Sequence, residues 1–187
     1  MTTGDLFRGV SGAFEQAGIP YMLVGSFASS VYGAGRATQD VDFLVAANAD
    51  KIKAFLNLLP PSDYYFDLQD ALQALKHSSM FNLIDKNTGF KIDIIFQKPT
   101  AFNQEEFRRR TQADVEGVRL FVATAEDVVL SKLEWAKLGE SSRQIEDVAG
   151  ILKARGSSLD RVYVEKWVKE MKLSSEWDRA LQSAGLD

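Results

Sequence analysis

Tyr21-Met-Leu-Val-Gly25-Ser26, then, after a short helical stretch, Arg36-Ala-Thr38-Gln-Asp40-Val-Asp42-Phe-Leu-Val45, decide the fold of this 187-residue chain. Tyr21 to Val24 is a short apolar run bounded by Pro20 and Gly25, as expected of a buried strand. Ser26 to Tyr32 reads as a short helix stopped by Gly33 and Gly35, and Val41 to Ala46 as a second strand. Side chains alternate along a strand, so Asp40 and Asp42 share one face while Val41 and Phe43 take the other. Two carboxylates ~6.5 Å apart at an effective dielectric of ~20 repel by ~2.5 kcal/mol. The pair is unfavourable unless water screens it or a cation sits between the two acids. One or two carboxylates completed by water and substrate phosphates are the usual ligands of Mg2+, with Mn2+ as its substitute, and this is the expected cofactor.

A third acid lies downstream. Asp93 interrupts the apolar run Phe90-Lys-Ile-Asp93-Ile-Ile-Phe96, where a charge is out of place unless it is paired or metal-bound. If its strand lies beside the one carrying Asp40 and Asp42, three carboxylates converge as a two-metal phosphoryl-transfer site requires. Upstream, Gly25 lets the backbone approach a ligand closely, and Ser26 brings a hydroxyl and opens a helix whose free N–H groups favour phosphate. A phosphate cradle with metal carboxylates is the combination expected of an enzyme that handles nucleoside triphosphates.

Composition excludes the competing chemistries. The chain has no cysteine, so disulfide scaffolds, zinc-thiolate sites and thiol catalysis are ruled out. A lone histidine, His77, argues against a histidine metal site or a Ser-His-Asp triad and reads as a surface residue. With 22 basic and 26 acidic side chains the net charge is -4, unlike the strongly basic footprint of a duplex-DNA binder. No apolar stretch approaches the ~20 residues needed to span a bilayer, and no signal-like segment opens the chain, so the expected address is the cytoplasm.

The rest of the chain reads as a mixed α/β core over residues 1–123 followed by a helical region over 124–187. Helices are expected over 4–17, from a cap at Asn48 to Leu59, over 67–75 and over 104–110. A hairpin of 81–84 and 90–96 turns at Asp85-Lys86-Asn87-Thr88-Gly89, and a further strand covers 118–122. Four helices follow, over 125–138, 142–155, 160–171 and 174–184, the first opened by Thr124 and Asp127.

Gly25-Ser26, Asp40-Val41-Asp42 and Asp93 resemble the signature of the nucleotidyltransferase superfamily that includes DNA polymerase beta, kanamycin nucleotidyltransferase and the minimal nucleotidyltransferases. The run Gly33-Ala-Gly35-Arg36-Ala-Thr38-Gln-Asp40-Val-Asp42 is most similar to AbiEii-type toxins and related bacterial nucleotidyltransferases. So are Glu126-Asp127-Val-Val-Leu-Ser-Lys132-Leu-Glu134-Trp135 and Arg143-Gln144-Ile-Glu146-Asp147. The resemblance implies a mixed β-sheet flanked by helices and transfer of a nucleoside monophosphate from an NTP to an acceptor hydroxyl or phosphate, with pyrophosphate released. It implies that Asp40, Asp42 and Asp93 bind metal, with Asp93 activating the acceptor. Gly25, Ser26, Arg36 and Lys132 would hold the NTP phosphates, and Thr38, Arg143 and Asp147 are further candidates. Gln144 stands where the related toxins commonly carry an acid, a departure that bears on Asp147 and not on the three aspartates. Among relatives the acceptor is a tRNA, a protein or a small molecule, and the toxins imply a cognate antitoxin.

Read without the resemblance, Arg36 is a loop arginine that pairs with an aspartate, and Lys132 and Arg143 are solvated helix residues. Arg108-Arg109-Arg110 is a solvated charged face, and Trp135, Trp167 and Trp177 are helix-packing residues. The rival function is non-catalytic: an NTP-binding regulator, or the toxin component of a toxin-antitoxin pair.

Overall fold

The first helix, α1 (Thr3–Gln16), starts because Thr2 accepts a hydrogen bond from the Asp5 amide while the Asp5 carboxylate accepts one from the Thr2 amide. It buries Leu6, Phe7, Val10, Ala13 and Phe14 at helical spacing and stops at Gly18, whose φ of +63° few other residues adopt. The computed structural model describes residues 2–35, 37–139 and 141–186. The chain then alternates strand and helix: β1 (Tyr21–Val24), α2 (Gly25–Val31), β2 (Asp40–Val45), α3 (Ala49–Leu58), β3 (Tyr64–Tyr65), α4 (Leu68–Lys76), β4 (Met80–Asp85), β5 (Lys91–Phe96), α5 (Ala101–Arg109), β6 (Thr111–Val115) and β7 (Val118–Val122). It ends in α6 (Ala125–Gly139), α7 (Ser142–Arg155), a 3-10 turn, α8 (Arg161–Glu170) and α9 (Ser174–Ala184).

The seven strands form one sheet in the order β3-β4-β5-β2-β1-β7-β6. It is mixed: β2 with β5 and β1 with β7 are parallel, and the other neighbours are antiparallel. The two acidic strands are thus adjacent, and the expected mixed α/β class holds. Register gives each face its character. Leu23 opposes Phe43 and Tyr21 opposes Val45, and this face packs under α1 and α3, where Phe14 stacks on Phe55 at 4.5 Å and meets Phe43 edge-on. Burying a side chain such as Phe14 stabilises the fold by about 2–3 kcal/mol. The other face carries the acids.

The structure adds two strands to the expected pattern, β3 and β6. Both are edge strands; β6 is paired on one side only, through the tight turn at Glu116 and Gly117. The arginine run is not a uniform solvated face. Arg109 bonds Asp127 at 3.1 Å and Glu126 at 3.3 Å and lies over the Tyr163 ring, tying α5 to α6 and α8. Arg110 packs on Phe107 and Phe121, and Arg108 alone stays on the surface with Glu105.

Candidate active site

Asp42 stands opposite Asp93 in the parallel β2–β5 pair, with Val24 of β1 on the other side of Asp42 and Asn82 of β4 beyond Asp93. Neighbouring strands lie about 4.8 Å apart, so the two carboxylates are side by side. Asp40 follows two residues away on the same face, opposite Lys91. All three aspartates line one cavity of about 310 Å3 with Gly25, Ser26 and Thr38 on one side and Ser131, Lys132, Trp135 and Gln144 on the other.

Gly25 sets how closely the cradle meets the acids. Its φ is +65°, and a Cβ there would stand 2.0 Å from Asp42 Oδ2, so any side chain at this position would force the carboxylate to move. The turn after β1 is therefore built against the Asp42 carboxylate, and glycine is required twice over, by backbone angle and by space. The helix that follows is a single short element of seven residues.

Electrostatics distinguish the acids. Burial, then the neighbouring Asp93 and Asp40 carboxylates, push Asp42 up to about 6. Asp93, 6% exposed, places Oδ1 on the Asn82 amide and Oδ2 on the Lys91 ammonium at 3.0 Å. The charge that the apolar strand demanded be neutralised is answered by these two residues. Among the described residues, no three histidine, cysteine or carboxylate side chains are gathered tightly enough to hold a metal ion as they stand. All three aspartates open to the cavity; Asp93 is engaged with Asn82 and Lys91.

Thr38 lines the cavity and accepts a hydrogen bond from the Asp40 amide, which fixes the entry into β2. Lys132 is 4% exposed, not a solvated helix residue. Its ammonium donates to Asp147 at 2.7 Å and to Gln144 at 3.1 Å, so α6 and α7 hold it at the cavity wall. Asp147 stands behind Lys132 and does not line the cavity, and Arg143 is exposed on α7 outside it. Arg36 lies outside the described residues.

Several residues of the site were not singled out in the sequence. Lys91 and Asn82 partner Asp93; Lys91 stands two positions before it on the same strand face, a spacing visible in sequence, whereas Asn82 becomes relevant only through the β4–β5 register. Ser131 faces the cavity and donates to Glu106 at 3.1 Å, and Glu106, also held by Asn103, is buried and pushed up to about 8 by that burial. Trp135 corrects the expectation of a packing residue: it is 52% exposed and lines the cavity, while Trp167 and Trp177 are buried as expected.

No protein-family model matches the chain, and no curated protein matches it. Solved structures do. ANT(2'')-Ia in complex with adenylyl-2''-tobramycin superposes over 96% of this chain and 99% of its own, with a TM-score of 0.57 at 12% identity. The lincosamide antibiotic adenylyltransferase LnuA, lincomycin-bound, covers 81% of this chain and 96% of its own, with a TM-score of 0.53 at 14% identity. JHP933 from Helicobacter pylori covers 97% of this chain and 87% of its own, with a TM-score of 0.53 at 18% identity. Its mixed seven-stranded sheet flanked by helices superposes on these structures over most of its length, and the chain has the nucleotidyltransferase-like fold.

Proposed function

We propose that this protein transfers a nucleoside monophosphate from an NTP to the hydroxyl of an acceptor, releasing pyrophosphate. The observation that carries the reading is the contact of the Gly25 turn with Asp42, which sets the Gly25–Ser26 backbone directly beside the carboxylates in one cavity. The fold supports it, since two of its structural neighbours are adenylyl-transferring enzymes or hold an adenylylated product. In this reading residues 1–123 form the catalytic core, and residues 124–187 close the site by supplying Lys132.

Asp40 and Asp42 fit a magnesium ion: they offer only oxygen, they open to the cavity, and Asp42 is raised to about 6 by burial and then by the neighbouring Asp93 and Asp40 carboxylates, whose repulsion a cation relieves. Such an ion, when bound, neutralises phosphate charge and stabilises the attacking and leaving oxygens. The protein's own groups do the rest. Ser26 and the adjacent backbone hold the two departing phosphates, and Lys132, kept in place by Asp147 and Gln144, faces them from α6. Asp93, oriented by Asn82 and Lys91, accepts the hydrogen bond of the acceptor hydroxyl and aims its oxygen at the α-phosphorus. A bond forms from that oxygen to the α-phosphorus, the bond from the α-phosphorus to the α–β bridging oxygen breaks so that this oxygen leaves on pyrophosphate, and the hydroxyl proton leaves through Asp93 to solvent.

The test is incubation with each labelled NTP, magnesium and a cell extract. Label should enter an extract component with pyrophosphate release, and both should vanish in Asp42→Asn. Binding of NTP with no incorporation into any component would instead establish a nucleotide-binding protein and sink the catalytic reading.

A further inference from the structure

The cavity has two ends, and the strand registers say which is which. Its floor is a ladder of three rungs on one sheet face: Asp40 opposite Lys91, then Asp42 opposite Asp93, then Leu44 opposite Ile95 with Met80 beyond. Because β1 runs antiparallel to β2 with Val24 opposite Asp42, the chain leaving Val24 carries Gly25 and Ser26 towards the Asp40 rung. The Ile95 rung is at the other end, past Asp93. Above the floor, α6 presents Val128, Ser131, Lys132 and Trp135, which recur at the spacing of one helix face. Trp135 also lines the adjoining cleft with Leu44, Ile95 and Leu138, so its indole stands over the Ile95 rung.

In an in-line displacement the attacking oxygen and the leaving group lie on opposite sides of phosphorus. If pyrophosphate departs towards Gly25 and Ser26, the acceptor enters from the end walled by Trp135, Ile95 and Met80. That end is apolar and open, with Trp135 52% and Met80 41% exposed. A tryptophan half in water at the mouth of a polar cavity is not there for core packing, and indole and thioether surfaces favour flat or apolar rings. The charges around it are mostly acidic: Glu134 and Lys98 in the adjoining cleft, Asp67 and Asp70 in the groove beyond Met80. A phosphate-rich acceptor would meet more carboxylate than ammonium there.

We infer that Trp135 is a specificity-determining residue for the acceptor, and that the acceptor is a small hydroxylated molecule with an apolar ring face, uncharged or cationic, not a nucleic acid. This rests on the nucleotidyltransferase reading for the direction of pyrophosphate departure, and the test is arranged so that the two can fail separately. Phenyl β-D-glucoside and methyl β-D-glucoside, which differ only in the ring, are titrated into the full-length protein by ligand-observed saturation-transfer NMR. The phenyl compound should bind about tenfold more tightly. Trp135→Ala should abolish the preference, Trp135→Phe should keep most of it, and ATP affinity should be unchanged in both variants. Equal binding of the two glucosides, binding of neither, or a preference that survives Trp135→Ala overturns the inference. So does a fall in ATP affinity that matches the fall for the glucoside, since Trp135 would then serve the nucleotide. Failure of the parent reading shows elsewhere, as wild-type protein that releases no pyrophosphate from any NTP.

Discussion

Three glycine-to-alanine substitutions separate backbone strain from collision with the site. At Gly25 the new methyl would sit 2.0 Å from Asp42 Oδ2, and ordinary contact begins at 3.4 Å, so the carboxylate must retreat by 1.4 Å, or 3.4 less 2.0. The positive φ costs about 1–2 kcal/mol, and forcing Asp42 off its rotamer adds about 0.5–1.5 kcal/mol. A total of about 1.5–3.5 kcal/mol corresponds to a fall of about 3–14 °C in the melting temperature for a chain of this size. Gly89, at φ +75° with nothing within 4 Å, carries the strain without the collision and should lose only the first contribution. Gly12, inside α1 with nothing within 4 Å, should gain about 0.5–1 kcal/mol, because alanine is the better helix residue. Turnover discriminates further: a displacement above 1 Å at a reacting centre costs about a hundredfold in rate, so Gly25→Ala should be nearly inactive while Gly89→Ala and Gly12→Ala match wild type. Melting curves and pyrophosphate release measure both. If Gly25→Ala kept wild-type turnover, or lost no more stability than Gly89→Ala, the turn would not be built against Asp42 and the argument for the cradle would fail.

Two further predictions follow from buried charge. Glu106 is raised from 4.5 to about 8, so its stabilising contribution is complete below pH 4.5 and is lost as the pH rises towards and through 8, a span of about 4–5 kcal/mol. Glu106→Gln removes that dependence, since the Ser131 hydroxyl can donate to or accept from the amide; urea unfolding should show the variant more stable than wild type at pH 9 and close to it at pH 4.5, and parallel pH profiles would contradict this. Lys132→Met removes the buried ammonium that Asp147 bonds and should cost about 3–5 kcal/mol in urea unfolding, with part recovered in the Lys132→Met/Asp147→Leu double variant; a loss near zero would mean that the ammonium is not what stabilises the buried carboxylate.

Much of the architecture was legible because it is local. The apolar spacing of α1, the cap at Asn48 and the apolar runs of β1, β2 and β5 each declare themselves within a few residues. The edge strands were not legible: Thr111-Gln-Ala-Asp-Val115 has no apolar run, and it is a strand because β7 offers it a free edge. Arg109 was misread for a related reason. Its spacing is that of a surface residue, but Asp127 and Tyr163, 18 and 36 or more positions downstream of their partners, make a buried junction that no local pattern announces.

The candidate site divides the same way. That Asp40 and Asp42 share a face follows from the two-residue period of a strand, and that Asp93 needs a partner follows from the apolar strand around it. These are properties of short segments and hold before the chain folds. That Asp42 faces Asp93, that Lys91 and Asn82 supply the partner, that Gly25 presses on Asp42, and that α6 turns Lys132 and Trp135 into the same cavity depend on the register between strands far apart in sequence. Packing of the whole sheet sets that register, because slipping one strand by a residue would turn its buried side chains to the wrong face. Sequence alone therefore determined which residues are the candidates for the chemistry, and the tertiary structure decided who holds them, how burial and neighbours shift Asp42, and which residues wall each end of the cavity.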